Sequence, residues 1–173
     1  AAEAQAVPVK RYMLDTDTSS YIIRKRPEPV RMRFAELDSG QLCISVVSEA
    51  ELLYGVKAKG SPRALAATVA DFLRRLHVLD WSRAAAQHYA DIRAKLESAG
   101  APIGNMDLMI AAHARSAGAV LVTNNVKHFR RVEGLKVENP AFAPFVLPIS
   151  LMILVGLFLM QSRGTAKIGR LFG

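Results

Sequence analysis

Short apolar runs punctuate the first 140 residues, and each is followed by a stretch in which apolar side chains return every third or fourth position. Tyr12-Met13-Leu14, ahead of the polar Asp15-Thr16, reads as a short buried strand, and Ser19 to Arg26, closed by Pro27, as a helix. Pro29 to Leu37 predicts a second helix. Leu42-Cys43-Ile44-Ser45-Val46-Val47 is β-branched, apolar and too short for a typical helix, so it predicts another buried strand. Ser48 then caps a helix running to about Ala58, Ser61-Pro62 opens one to about Leu76, and His77 to Trp81 is a strand. Ser82 starts a helix that stops before Gly100, and Asn105 caps another through about Ala117. Ala119 to Thr123 is the clearest strand, and Leu135 to Glu138 the last. Strands alternating with helices through short loops predict an α/β fold whose parallel sheet is covered on both faces.

Composition bounds the chemistry. The chain has 173 residues, half of them apolar, enough for one ordinary domain and too few for a large multidomain enzyme. Its one cysteine, Cys43, excludes an intramolecular disulfide and a cysteine-based zinc site, and points to a reducing cytoplasm. Net charge is +8, which favours polyanionic partners, nucleic acid or an anionic membrane surface. The distribution sharpens this: residues 1–140 hold 20 bases against 15 acids, whereas 141–173 hold three bases and no acid. Three regions follow: residues 1–9 as a frayed, disordered leader, 10–140 as the domain, and 141–173 as a hydrophobic tail.

In open parallel sheets, ligands bind beyond the carboxyl ends of the strands. Four polar residues fall at such positions: Asp15 after the first strand, Glu51 one turn into the helix after the second, Asp107 at the start of a helix, and Asn125 after the Thr123 strand end. Oxygen donors without histidine or thiolate suit Mg²⁺ or Mn²⁺, and such a site suggests phosphoryl chemistry. Each residue also has a plainer reading. Ser48-x-x-Glu51 is a capping box, Asp107 complements a helix dipole, and Asp15-Thr16-Asp17 makes a turn with a cap. His113 reads as a bonded core side chain, His128 as surface, Cys43 as inert core, and Trp81 as packing. Arg24-Lys25-Arg26 with Arg31 and Arg33, and Lys127 with Arg130 and Arg131, read either as solvated faces or as phosphate contacts for nucleic acid.

Several spaced motifs agree on a family. Tyr12-Met13-Leu14-Asp15-Thr16, Ile44-Ser45 with Glu51-Leu52-Leu53-Tyr54-Gly55-Val56, Pro102 to His113, and Val122-Thr123-Asn124-Asn125 through Phe129 to Asn139 resemble PIN-domain toxins of the VapC type. The resemblance covers about residues 10–139. It implies a three-layer α/β/α PIN-like domain with a central parallel sheet, and a Mg²⁺-dependent endoribonuclease that hydrolyses RNA, often tRNA, with metal-activated water. It further implies a cognate antitoxin and a homodimer. Asp15, Glu51 and Asp107 match the metal-binding carboxylates, Asn125 the fourth polar position, acidic in many PIN domains, and Thr123 the supporting hydroxyl. Asp17 stands where these toxins frequently have asparagine. The alternative is a catalytically silent PIN-like module that binds RNA or an antitoxin.

The tail reads differently. Sixteen of the 20 residues from Ala141 to Met160 are apolar and none is charged, which predicts a C-terminal hydrophobic helix long enough to approach a bilayer span. Pro144 and Pro148 interrupt it, leaving 14 clean residues to Gln161, or ~21 Å. Phe145 to Ile149, Leu154 to Phe158 and Gln161 to Gly173 resemble a transmembrane segment and loop of KUP-type potassium uptake permeases. That resemblance implies a fusion, a misjoined reading frame or an incomplete gene, while the apolar stretch itself leaves open membrane association through residues 141–162 or a hydrophobic partner-binding helix.

Overall fold

A computed structural model describes residues 10–25, 28, 37 and 40–140. The chain divides at Pro140, and the unit Ala1–Pro140 carries every described residue. Its elements run β1 (Tyr12–Leu14), α1 (Thr16–Lys25), β2 (Leu42–Ser45), α2 (Val46–Ala58), α3 (Arg63–Leu73), β3 (His77–Leu79), α4 (Arg83–Ser98), α5 (Asn105–Ser116), β4 (Val120–Val122), α6 (Val126–Phe129) and β5 (Lys136–Glu138).

The strands form one parallel sheet in the order β3-β2-β1-β4-β5, with Leu14 opposite Ile44 on one side and Val122 on the other. Alternation along each strand splits the core in two. Met13, Cys43 and Leu121 face Ile92 and Leu96 of α4, Leu108 and Ile110 of α5, and the fully buried Phe129 of α6. Leu14, Leu42, Ile44 and Val122 face the other way, onto Ile22 of α1, Leu52 and Val56 of α2 and Val69 of α3. The expected three-layer α/β/α arrangement is therefore present. Burial pushes the Cys43 thiol up to about 11, consistent with an inert core residue. Gly118 ends α5 at φ 62°, a left-handed conformation that lets Ala119 N–H reach the carbonyl of Ala114 before the chain turns into β4.

Several boundaries differ from the sequence reading, for local reasons. Helix α1 starts at Thr16 rather than Ser19, because Asp15 caps it: its carbonyl accepts from Ser19 N–H and its carboxylate from Thr18 N–H. Helix α2 starts at Val46, because Ser45 is the cap, its Oγ accepting from Val47 N–H at 3.1 Å. Ser48 caps nothing; its hydroxyl is buried without a partner. Gly104, not Asn105, precedes the first turn of α5, with no side-chain cap bond. Ser82 caps α4 as expected, accepting from Ala85 N–H at 3.1 Å.

Residues 29–36 of the helix expected over 29–37, and the hydrophobic helix expected after residue 140, lie outside the described residues. Among the described residues, no helix is long and apolar enough to cross a membrane.

Candidate active site

The sheet order places β1 between β2 and β4, and the chain reaches these neighbours through connections on opposite sides of β1. A crevice therefore opens at the carboxyl ends of β1 and β4. Asp15 is the first residue beyond β1 and sits in that crevice, its amide bonded to the carbonyl of Val122. The residue is 4% exposed. Oδ1 accepts from Thr18 N–H at 2.7 Å, and Oδ2 from Thr123 Oγ1 at 2.5 Å. Burial holds the carboxyl above its ordinary range; the hydrogen bonds from Thr123 and Thr18 pull it back, and the nearby charge of Asp17 pushes it up again.

Glu51 lies on α2, half-buried, and its Oε2 accepts from Thr16 Oγ1 at 2.5 Å. That bond, together with Ser45 as the cap, removes the capping-box reading of Ser48 and Glu51. Asp107 is the third residue of α5. Partial burial raises its carboxyl, His128 opposes the shift, and Asp17 adds to it. The imidazole Nδ1 of His128 stands 2.9 Å from Asp107 Oδ2. Asn125 is exposed and precedes α6; its backbone N–H donates to Thr123 Oγ1 at 3.0 Å, and its amide lies 3.1 Å from His128 Nδ1. Asp17 sits exposed in the first turn of α1, a negative charge that reaches both aspartates without capping the helix.

All four predicted positions thus join one linked set. Thr16 binds Glu51 and adjoins Asp15; Asp15 binds Thr123; Thr123 binds Asn125; Asn125 meets His128, which binds Asp107. Thr123 Oγ1 thus contacts both the Asp15 carboxylate and the Asn125 amide. Three members were not singled out for this role in the sequence: Thr16, Thr18 and His128. Thr16 carries the signal of a hydroxyl beside Asp15, whereas Thr18 acts through its backbone amide, which residue type does not mark, and His128 reads as surface because nothing local ties it to Asp107. His113, by contrast, is a bonded core residue as expected, 3% exposed with Nδ1 2.9 Å from Ser45 Oγ; burial pulls its pKa down. Trp81 packs edge-on against its ring.

The chemistry of this set fits a hard divalent cation. Asp15 is a buried carboxylate held by a hydroxyl and an amide donor, and no ammonium or guanidinium lowers its pKa. The donors do not form a closed cage: among the described residues, no trio of His, Cys, Asp or Glu stands close enough to hold an ion unaided. An open set of this kind suits an ion that keeps several of its waters.

The basic candidates fall into two groups. Lys127 and Arg130 are exposed, on α6 and directly after it, in the same turn as His128. Arg24 is exposed on α1, donating to the carbonyl of Ser20. The side chain of Lys25, and Arg26, lie outside the described residues.

Comparison with known proteins reaches the same region. The PIN domain family matches residues 12–135. The tRNA(fMet)-specific endonuclease VapC of Shigella flexneri is 44% identical over 129 residues, 75% of this chain and 97% of its own. Ribonuclease VapC2 of Haemophilus influenzae is 43% identical over the same length and shares. The crystal structure of DNA-bound VapBC from Salmonella typhimurium superposes with a TM-score of 0.72 at 42% identity, covering 76% of this chain and 98% of that one. These relatives are ribonucleases, not transporters, and the family match ends at residue 135. The resemblance of residues 145–173 to KUP-type permeases, and the membrane association read from residues 141–162, therefore do not stand. An apolar stretch broken by Pro144 and Pro148 falls short of the approximately 30 Å of a bilayer core, and its composition alone does not specify a span.

Proposed function

The chain belongs to the PIN-domain family of VapC ribonucleases, and we propose on that premise that its cleft holds Mg²⁺ on Asp15, Glu51 and Asp107 and hydrolyses phosphodiester bonds of tRNA. The observation that carries this reading is the continuous link from Glu51 through Asp15, Thr123, Asn125 and His128 to Asp107. Family membership implies a divalent metal, and hard oxygen donors favour Mg²⁺, with Mn²⁺ as its nearest substitute. Bound there, the ion supplies charge stabilisation at the phosphoryl oxygens and lowers the pKa of water.

The chain's own share is positional. Thr123 and the Thr18 amide hold both oxygens of Asp15, so this carboxylate keeps one orientation through the reaction. Thr16 does the same for Glu51 from the neighbouring helix. Asn125, neutral and exposed, offers an amide to a phosphate oxygen without adding a repelling charge. Lys127, Arg130 and Arg24 contact phosphates, as do Lys25 and Arg26, which follow Arg24 in the sequence; such contacts orient an RNA without choosing its sequence.

The substrate class and the partner come from relatives. The Shigella flexneri protein is named for tRNA(fMet), so initiator tRNA is the first substrate for this chain. VapBC is described as a family of toxin–antitoxin systems, and this chain fills the toxin role, restrained by a cognate antitoxin. Incubation with initiator tRNA, elongator tRNAs and an unstructured RNA, in Mg²⁺ and in EDTA, tests the reading. Cleavage of initiator tRNA in Mg²⁺ alone is expected. Equal cutting of the unstructured RNA would refute the substrate class, and cutting that persists in EDTA would refute the metal.

A further inference from the structure

We propose that His128 is a positioning residue for Asp107: the imidazole, delivered by α6, holds Oδ2 of the carboxylate and leaves Oδ1 for the divalent ion. The inference rests on the reading of Asp107 as a metal-holding residue.

Three observations support it. The ring nitrogen Nδ1 stands 2.9 Å from Oδ2, and a carboxylate only accepts, so a hydrogen bond between them has Nδ1 as its donor. The neutral Nδ1–H tautomer and the imidazolium both place one there, so the contact does not depend on the charge of the ring. The ring is itself held: its neighbour Phe129 is fully buried, the two rings meet edge-on with centroids 6.1 Å apart, and the amide of His128 bonds to the carbonyl of Asn125. Among the described residues, no other hydrogen bond or ion pair holds the Asp107 side chain, which is 34% exposed; a Cβ at Gly104 would lie 3.8 Å from Oδ2.

The amide nitrogen of Asn125 lies 3.1 Å from the same Nδ1, a contact whose direction follows the tautomer, so one short helix brackets both groups on that side of the cleft.

Titration of the full chain with Mn²⁺, reading free ion by electron paramagnetic resonance, tests this without recourse to activity. His128→Phe keeps the ring and its contact with Phe129 but removes the donor; the Mn²⁺ dissociation constant should rise about tenfold, the scale on which loss of a partner that orients a ligand weakens metal binding. His128→Asn keeps an amide N–H near the position of Nδ1 and should recover most of the affinity. Both should melt as the unsubstituted protein does in the absence of metal. If His128→Phe does not fold, His128→Leu takes its place against the same asparagine rescue. Asp107→Asn separates the two levels of the claim. If Asp107→Asn binds Mn²⁺ poorly while His128→Phe binds it normally, the role of His128 is refuted and the metal site stands. If Asp107→Asn also binds normally, the metal site itself is refuted. Weakening by phenylalanine and asparagine alike, with a lowered melting temperature in both, would show that His128 only supports the fold.

Discussion

Asp15 is surrounded by hydroxyl and amide donors in a place where a structural carboxylate would be expected to meet a cation. Thr123 and Thr18 relieve part of the burial penalty, yet the carboxyl remains above its ordinary range. The sign of the linkage follows. A carboxyl whose folded pKa exceeds its unfolded value contributes stability that is fully present below the unfolded value and is lost as pH rises through the folded one. At neutral pH, ionised Asp15 therefore works against the metal-free fold. Asp15→Asn should raise the melting temperature of the metal-free protein at pH 7 and lose that advantage at pH 3, while abolishing cleavage. Thermal unfolding at the two pH values checks this; a lower melting temperature at pH 7 would mean that Asp15 is a structural anchor rather than a residue kept ionised for a ligand.

At the scale of elements, the cap of α2 decides where Glu51 points. Ser45 Oγ accepts from Val47 N–H and stands 2.9 Å from His113 Nδ1, so one hydroxyl ties β2, α2 and α5 together. Ser45→Ala should lower stability by about 1 kcal/mol or somewhat more, the usual loss for a helix cap, whereas Ser48→Ala should cause no loss, since the hydroxyl it removes is buried without a partner. Denaturant unfolding of the two variants checks the contrast. Much of the fold was legible in the chain, because β1, β2 and β4 are apolar runs bounded by polar residues and Ser82 opens α4 where it should. The cap of α2 was misread because two serines lie three residues apart, and the wrong one completes a capping-box pattern with Glu51. That Asp15, Asp107 and Asn125 lie close together was legible from their places after strands and at a helix start, and Glu51 from its place in the helix after β2. His128 was not, because its meeting with Asp107 joins residues 21 positions apart and depends on how α6 packs through Phe129.

At the scale of the molecule, sheet order does the gathering. Strand β1 at the centre brings the ends of β1 and β4 and the starts of α1 and α5 toward one crevice; Asp15, Thr123, Asn125 and Asp107 come from those places, Glu51 from the second turn of α2 and His128 from α6. The net charge of +5 over residues 1–140 is then of the right sign for a polyanionic substrate approaching a cleft of three carboxylates, an approach that those carboxylates oppose until a cation neutralises them. The central claim is that these carboxylates hold the ion that cleaves RNA. Single-turnover cleavage of initiator tRNA in saturating Mg²⁺, compared between the unsubstituted chain and Glu51→Gln, tests it most directly, since Glu51 is the acid whose alternative reading was a helix cap. A fall of about 100-fold or more is predicted, because a metal ion contributes several kcal/mol of transition-state stabilisation and each ~1.4 kcal/mol is a factor of ten. An unchanged rate would contradict the account.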